Sequence, residues 1–371
     1  MFSFEMREGR VLMGSCEAIR NAILGHDWIG FDLFDTLLLR PFLTPDDLFC
    51  QMEQKLERTG FAAMRTETEQ QLRKNRRKEL TLQEIYTAIQ QKTGEPEATV
   101  QQWMQLEMDL ELRFCYPRQS GMSLYCAAKE AGKQIAIVTD MYLPMYQIAR
   151  MLQKIGIEEY DMLLLSSEMG LTKANGGLYR YLKKSGIAPK RFLQIGDNRI
   201  ADVENPRCLG FDAAWLPSTG FTFRHYGRLY PAILTEQPTL AVRCGIALAV
   251  NAYFDDPFRF LRPNCDWNAD PYYMGLLLGT ATDLPVAVAQ NFCFQQGQQK
   301  AQQLAQVFFA QSLPVSTAAK QLLCRYLPAQ EQRMFGGETM WKTEETCPWK
   351  PLPVPRTPRK WKTWLRLQRR V

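Results

Sequence analysis

The sequence predicts an α/β fold: a parallel sheet with helices on both faces, an inserted helical cap and a C-terminal helical region. Three observations lead there. Short apolar runs alternate with helical patterns between residues 28 and 216. Most of these runs end at a polar residue with chemical potential. The first two are separated by a helix-rich stretch far longer than one crossover requires.

Taken in order, the first run is Trp28–Leu33 (WIGFDL), which leads into Asp32, and the second is Gln134–Thr139 (QIAIVT), which ends on Thr139. Met162–Leu165 (MLLL) runs up to Ser166, Phe192–Ile195 (FLQI) runs into Gly196-Asp197, and Asp212–Leu216 (DAAWL) supplies a further strand. Helical spacing fills Met141–Gly156 and Gly177–Gly186. In such sheets ligands bind beyond the carboxyl ends of the strands, where these polar residues would collect.

Pro45–Arg118 is rich in Gln, Glu, Lys, Arg and Leu at helical spacing, with one clear break at Thr93-Gly94-Glu95-Pro96. It reads as a helical insertion over the active-site edge, and its Arg73–Lys78 charge run as a solvated helix face. After Pro217 the pattern is mostly helical as far as Pro328. Gly336-Gly337 and Pro348, Pro351, Pro353, Pro355 and Pro358 then mark a linker. The expected division is a catalytic core over 1–41 and 119–217, a cap over 42–118, a helical region over 218–335, and a proline-rich linker with a basic tail over 336–371.

A chain of 371 residues buries a sizeable core, and 46% apolar with 23% charged residues is ordinary for a globular protein. The first ten residues lack the pattern of a secretory signal, which leads to the expectation of a cytoplasmic protein. The greasiest stretch, Met274–Phe292, is broken by Asp283, Pro285 and Gln290, and so reads as a buried helix rather than a membrane span. The ten cysteines are scattered without a CxxC pair, as reduced thiols would be. His26 and His225 are the only histidines, and neither lies near paired cysteines, which argues against structural zinc. It also leaves little room for Ser-His or Cys-His catalysis. Chemistry falls to carboxylates, lysine and metal.

Four segments stand out in order. Phe31-Asp32-Leu33-Phe34-Asp35-Thr36-Leu37 follows a strand; Thr139 closes a strand before Asp140-Met141-Tyr142-Leu143-Pro144; Lys173 lies in Leu171-Thr172-Lys173-Ala174-Asn175-Gly176-Gly177; and Gly196-Asp197-Asn198 precedes Asp202. Each residue alone reads more simply as a polar strand end or a solvated lysine. All four together, each at a strand or loop edge, are specific. They resemble the four motifs of the haloacid-dehalogenase-like (HAD) hydrolases, whose fold is a Rossmannoid parallel sheet.

The resemblance implies a role for each residue. Asp32 would be the nucleophile, forming an aspartyl phosphate and splitting one hard displacement into two easier ones. Magnesium (Mg2+) would screen the approaching anions, held by the Asp32 and Asp197 carboxylates and the Phe34 backbone carbonyl, with Asp202 as a direct or supporting ligand. Thr139 and Lys173 would hold the phosphoryl oxygens. One departure matters. Phosphatases of the family carry a general-acid Asp two residues after the nucleophile, and here that position is Phe34. General-acid help is worth about 10²–10⁴-fold, so Phe34 argues against efficient hydrolysis of ordinary phosphate monoesters.

FDLFDTLLLRP, TDMYLP, LTKANGGLY and GDNRIADV also resemble a bacterial HAD subgroup associated with glycosyltransferases of surface-polysaccharide assembly, over residues 25–217. The expected function is therefore a magnesium-dependent phosphohydrolase acting on a small phosphorylated metabolite or sugar, with glycosyltransferases as partners. Two alternatives stand beside it: a catalytically weakened binding or scaffold module in surface-glycan assembly, and a carbon–halogen hydrolase.

The net charge of +6 is unevenly placed. Eight of the 45 basic residues and none of the 39 acidic ones fall from Lys350 onward, which leaves 37 basic residues before it. On a helical wheel, Trp361, Trp364, Leu365, Leu367 and Val371 share an arc of about 160°, opposite Lys362, Arg366, Arg369 and Arg370. That pattern suits an interfacial helix on the anionic inner face of a membrane, with each cation adding about 1 kcal/mol. The rival pattern is a solvated tail that binds through charge alone; no specific nucleic-acid binding is expected. Full-length protein should co-sediment with anionic liposomes at low salt, while a version ending at Cys347 should not. Equal pelleting of the two removes the membrane role.

Overall fold

A computed structural model describes residues 15–74, 76, 78–226 and 240–259 of the chain. Five parallel strands form the main sheet: β1 (Trp28–Phe31), β4 (Gln134–Thr139), β5 (Met162–Leu165), β6 (Phe192–Gly196) and β7 (Asp212–Trp215). Their order across the sheet is β5-β4-β1-β6-β7. All five strands read from the sequence are present, and the first ends at Phe31, leaving Asp32 just outside it. The chain winds outward from β1 to β5, then returns to the other side of β1, so the winding reverses between β1 and β6. A crevice at such a reversal is where open parallel sheets bind ligands.

The short β2 (Leu38–Leu39) and β3 (Tyr116–Pro117) pair antiparallel and join the two ends of the inserted segment. α1 (Cys16–Leu24) precedes β1 and is capped by Ser15, whose hydroxyl accepts from the Ala18 amide at 3.0 Å. The insertion comprises α2 (Asp47–Leu56), α3 (Phe61–Arg73), α4 (Leu82–Thr93) and α5 (Glu97–Phe114). Thr81 and Glu84 form a capping box that starts α4, and Gly94 ends it in the left-handed region. Then come α6 (Gln119–Glu130), α7 (Met145–Lys154), α8 (Ser166–Met169), α9 (Gly177–Lys184), α10 (Asn205–Cys208) and α11 (Thr219–Tyr226). On one sheet face, Ala136, Val138, Leu164 and Phe192 pack with Leu178, Tyr179 and Leu182 of α9 and with Phe211.

Two sequence expectations are corrected. The helix expected from Met141 begins at Met145, because Pro144 disfavours helical backbone before it and is itself the extended cap of the helix. The Arg73–Lys78 run is not a helix face: α3 ends at Arg73. Arg73 is held by Glu69 and Glu79 at 2.8 and 2.6 Å, and Arg76 by Glu84 at 2.5 Å, so the charges turn the chain from α3 toward α4.

The insertion has a polar centre. Arg65, fully buried, forks onto Glu107 at 2.9 and 2.8 Å and reaches Glu69 at 2.7 Å. Tyr86 donates to Glu107 at 2.6 Å, and the Arg65 guanidinium lies 4.3 Å from the Phe49 ring centre and 5.1 Å from that of Tyr142. Burial alone would lower the Arg65 pKa, but the Glu107 carboxylate outweighs it and holds the pKa well above the usual range. The insertion is also tied to the segment after β4: Leu82 N donates to the Tyr142 carbonyl at 2.8 Å, and Lys154 Nζ of α7 donates to the Leu112 and Arg113 carbonyls at 2.7 and 2.6 Å.

The chain divides into two compact units, one of residues 1–240 with 253–267 and the other of 241–252 with 268–371. Of the latter, 241–252 are described, as part of the helix Leu240–Tyr253, whereas Met274–Phe292, the proline-rich linker and the basic tail lie outside the described residues. Among the described residues no helix is long and apolar enough to cross a membrane. Among the described residues the cysteines form no disulfide, and burial pushes the Cys16 thiol up to about 12.

Glu107→Ala strands a buried guanidinium, so unfolding free energy by urea titration should fall by about 3–5 kcal/mol. A loss below about 1 kcal/mol means that Arg65 finds compensation elsewhere.

Candidate active site and metal centre

Each expected site residue lies within residues 1–240. β1 is flanked by β4 and β6, with Phe31 opposite Ile137 on one side and Ile195 on the other. The Asp32 amide continues the β6 ladder by donating to the Ile195 carbonyl at 2.9 Å. Asp32 therefore leaves the carboxyl end of the central strand beside Asp197, which follows β6 directly. Thr139 closes β4, opposite Leu165.

The structure brings Asp32, Lys173, Asp197 and Asp202 together. Lys173 Nζ, almost fully buried, donates to Asp32 Oδ1 at 2.6 Å and Asp202 Oδ1 at 2.7 Å. One carboxylate oxygen from each of Asp32, Asp197 and Asp202 lies within 4.8 Å of the others. Asp202 sits in a π-helical segment, Arg199–Glu204, and packs directly on Gly196. A Cβ at Gly196 would stand 2.3 Å from Asp202 Cγ, so only glycine fits there.

Several supporting residues lay outside the sequence-based set. Asp140 accepts the Lys173 and Ala174 amides at 2.8 and 3.1 Å, and the Asn205 side chain donates to the carbonyls of the same two residues at 2.9 and 2.8 Å. Between them they hold the backbone that carries Lys173. Gln194, buried inside β6, donates to Asp202 Oδ1 at 3.2 Å, and the Asn198 amide donates to its Oδ2 at 3.2 Å. Trp215 Nε1 donates to the Asp197 carbonyl at 2.7 Å. A polar Gln in an apolar strand and an Asp directly after Thr139 were the available signals; Asn205 offered none.

The electrostatics follow from crowding. Burial alone would lower the Lys173 pKa, but Asp202, Asp32 and Asp140 outweigh it and keep the ammonium charged. Burial and the Asp32 charge push Asp202 up to about 7 against the pull of Lys173. Burial, then the charges of Asp35, Asp32 and Asp202, raise Asp197 well above the usual carboxylate range. Hard oxygen donors with excess negative charge are what a divalent cation such as magnesium prefers, so this donor set fits a metal. The Thr139 hydroxyl is buried and has no hydrogen-bond partner among the described residues, which leaves a donor for an oxyanion.

Phe34 is part-buried, with the Arg40 guanidinium 4.9 Å from its ring centre. Arg40 is in turn held by Glu111 of α5 at 2.8 Å. The position two residues after Asp32 is thus filled by a ring leaning on a cation that α5 of the inserted segment holds.

No family model matches the chain. It is 30% identical over 105 residues to pyrimidine 5'-nucleotidase YjjG of Escherichia coli (strain K12), a match covering 28% of this chain and 45% of that protein. The chain thus spans less than half the length of this curated relative. Similar solved structures include the HAD-hydrolase YfnB from Bacillus subtilis, bound to magnesium, at 15% identity and TM-score 0.39, covering 52% of this chain and 88% of that one. L-2-haloacid dehalogenase from Xanthobacter autotrophicus gives 15% identity and TM-score 0.38, covering 57% and 82%. The central strand that carries Asp32, the strand order around it and the placing of Asp32, Thr139 and Asp197 at one sheet edge agree with the resemblance to the haloacid-dehalogenase-like hydrolases read from the sequence.

Proposed function

We propose that the protein is a magnesium-dependent phosphohydrolase acting through Asp32 on a small phosphorylated metabolite or sugar. The observation that carries this reading is the buried Asp32–Lys173–Asp202 cluster, with Asp197 completing a carboxylate trio. Asp32, Asp197, the Phe34 carbonyl and Asp202, directly or in support, would hold magnesium, which when bound offsets the charge of the phosphoryl oxygens. An Asp32 carboxylate oxygen attacks phosphorus, the phosphorus–oxygen bond to the leaving group breaks, and water later hydrolyses the acyl phosphate. Lys173, within hydrogen-bond reach of Asp32, and the Thr139 hydroxyl bind the transferring oxygens as their charge grows.

Phe34 supports substrates whose leaving groups need no proton, and it favours the second reading, a weakened binding module in surface-glycan assembly with glycosyltransferases as partners. The similarity to a 5'-nucleotidase adds nucleotides to the substrates worth testing. In this proposal residues 42–118 form a cap that chooses the substrate.

A panel of sugar phosphates, pyrimidine 5'-nucleotides, p-nitrophenyl phosphate and an L-2-haloacid, with magnesium, tests the assignment. Asp32→Asn should abolish phosphate release. Phe34→Asp should raise alkyl-phosphate turnover by about 10²-fold or more and p-nitrophenyl phosphate turnover little. Halide release from the haloacid without phosphate release, or no turnover at all, overturns the phosphohydrolase assignment.

The crowded carboxylates generate a pH prediction for the metal-free protein. Asp202 titrates near 7 when folded and near the ordinary Asp value when unfolded, so between them the folded state holds the extra proton. Its contribution to stability is complete below about pH 4 and is lost as pH rises through about 7. Melting temperature of the metal-free protein should fall across that window, and millimolar magnesium should restore it at pH 8. A magnesium effect of the same size at pH 4 and pH 8 contradicts this.

A further inference from the structure

The loop that presents Asp32 is shaped from behind. Asp35 lies in the left-handed region at φ 56°, a conformation that a residue other than glycine holds when its surroundings enforce it. Three successive carbonyls of this loop meet the start of α6. Arg118 Nη1 donates to the Asp35 carbonyl at 2.5 Å, and the Arg118 amide donates to the Leu37 carbonyl at 2.8 Å. Between them, the backbone at Gly121 comes so near Thr36 that a Cβ there would stand 1.8 Å from its carbonyl oxygen. On the other side of the loop, Thr36 Oγ1 donates to Asp32 Oδ2 at 3.3 Å. The Leu37 and Leu38 amides turn back to the Leu33 carbonyl at 2.9 and 3.0 Å.

Arg118 is itself held from beyond the sheet. Its Nη2 donates to the Pro217 carbonyl at 2.7 Å and to the Asp255 carbonyl at 3.2 Å. The Asp255 carboxylate stands 3.7 Å from Arg118 Nε and accepts the Ser120 amide at 3.0 Å and the Ser120 hydroxyl at 3.3 Å, fixing the first turn of α6. Phe254, its neighbour, packs on Phe223 of α11 with ring centres 5.9 Å apart. Arg118 is fully buried, so its charge has given up hydration and depends on these partners. The hydrogen bonds of its side chain go to main-chain carbonyls, so the residue acts through geometry.

We infer that Arg118 is a positioning residue for the Asp32 loop and that Asp255, from the segment after the helix Leu240–Tyr253, is its anchor. Residues outside the sheet thereby complete the mould of the nucleophile loop. A displacement of about 1 Å at a reacting group costs about 10²-fold in rate, so loosening this mould should act on turnover rather than on binding.

The test is amide hydrogen exchange on the full chain, comparing wild type with Arg118→Met, Arg118→Lys and Asp255→Ala. Arg118→Met and Asp255→Ala should each speed exchange at Leu37 and Leu38 by about tenfold or more while β5 and α9 keep wild-type rates. Arg118→Lys, which reaches fewer carbonyls, should fall between. On any phosphate ester that the wild type turns over, Arg118→Met should lower kcat by about tenfold or more and leave KM within about threefold. Unchanged exchange at Leu37 and Leu38, or acceleration spread equally over β5 and α9, overturns the inference. The rate measurement rests on the phosphohydrolase proposal and the exchange measurement does not. A loosened loop in a protein without turnover therefore counts against that proposal alone.

Discussion

The buried ammonium of Lys173 between Asp32 and Asp202 is the interaction on which the candidate site depends. Carboxylates gathered within 4.8 Å repel one another strongly where water is excluded, and one lysine compensates only part of that charge. Burial first, and then the remaining repulsion, raise the pKa values of Asp197 and Asp202. Much of the surrounding structure serves this balance. Asp140 and Asn205 fix the backbone of Lys173, Gln194 and the Asn198 amide hold Asp202, and Gly196 leaves the space that Asp202 fills. The same excess of negative charge that strains the metal-free cluster is what attracts a divalent cation.

The inserted segment is joined to this site by a chain of cations. Phe34 carries Arg40 on its ring, Arg40 pairs with Glu111, and Glu107, one helical turn earlier on α5, pairs with Arg65. Buried ion pairs of this kind contribute little net stability, because desolvation offsets the attraction, but they penalise misalignment heavily. They fix where α5 lies relative to the loop after β1. Through Arg40, α5 of the insertion thereby reaches Phe34 in that loop.

The sheet was legible in the sequence because each strand is a short apolar run with a polar end, and buried parallel strands permit little else. Asp32, Thr139 and Asp197 stood out because each closes or follows such a run, and Lys173 and Asp202 because of the loop motifs they stand in. The start of α7 was misplaced because apolar spacing continued through Pro144, where the backbone cannot be helical upstream. The charge run at Arg73 looked like a helix face because its partners, Glu79 and Glu84, lie beyond the end of α3. Arg118, Asn205 and Asp255 left no signal at all. Their partners lie far along the chain, and for Arg118 and Asn205 they are main-chain carbonyls, which ask nothing of the side chain that owns them.

The strand order also imposes a schedule on synthesis. β1 emerges early, yet one of its two neighbours is β6, which begins at Phe192, and Asp202 follows later still. A nascent chain long enough to contain β4 and β5 has half a sheet, with one edge of β1 bare and Asp32 without its lysine. Non-local pairings of this kind slow folding and leave apolar strand edges exposed to other chains. A ribosome that pauses before residue 192 would hold a hydrophobic strand open to solvent, which makes this interval the natural point for chaperone capture.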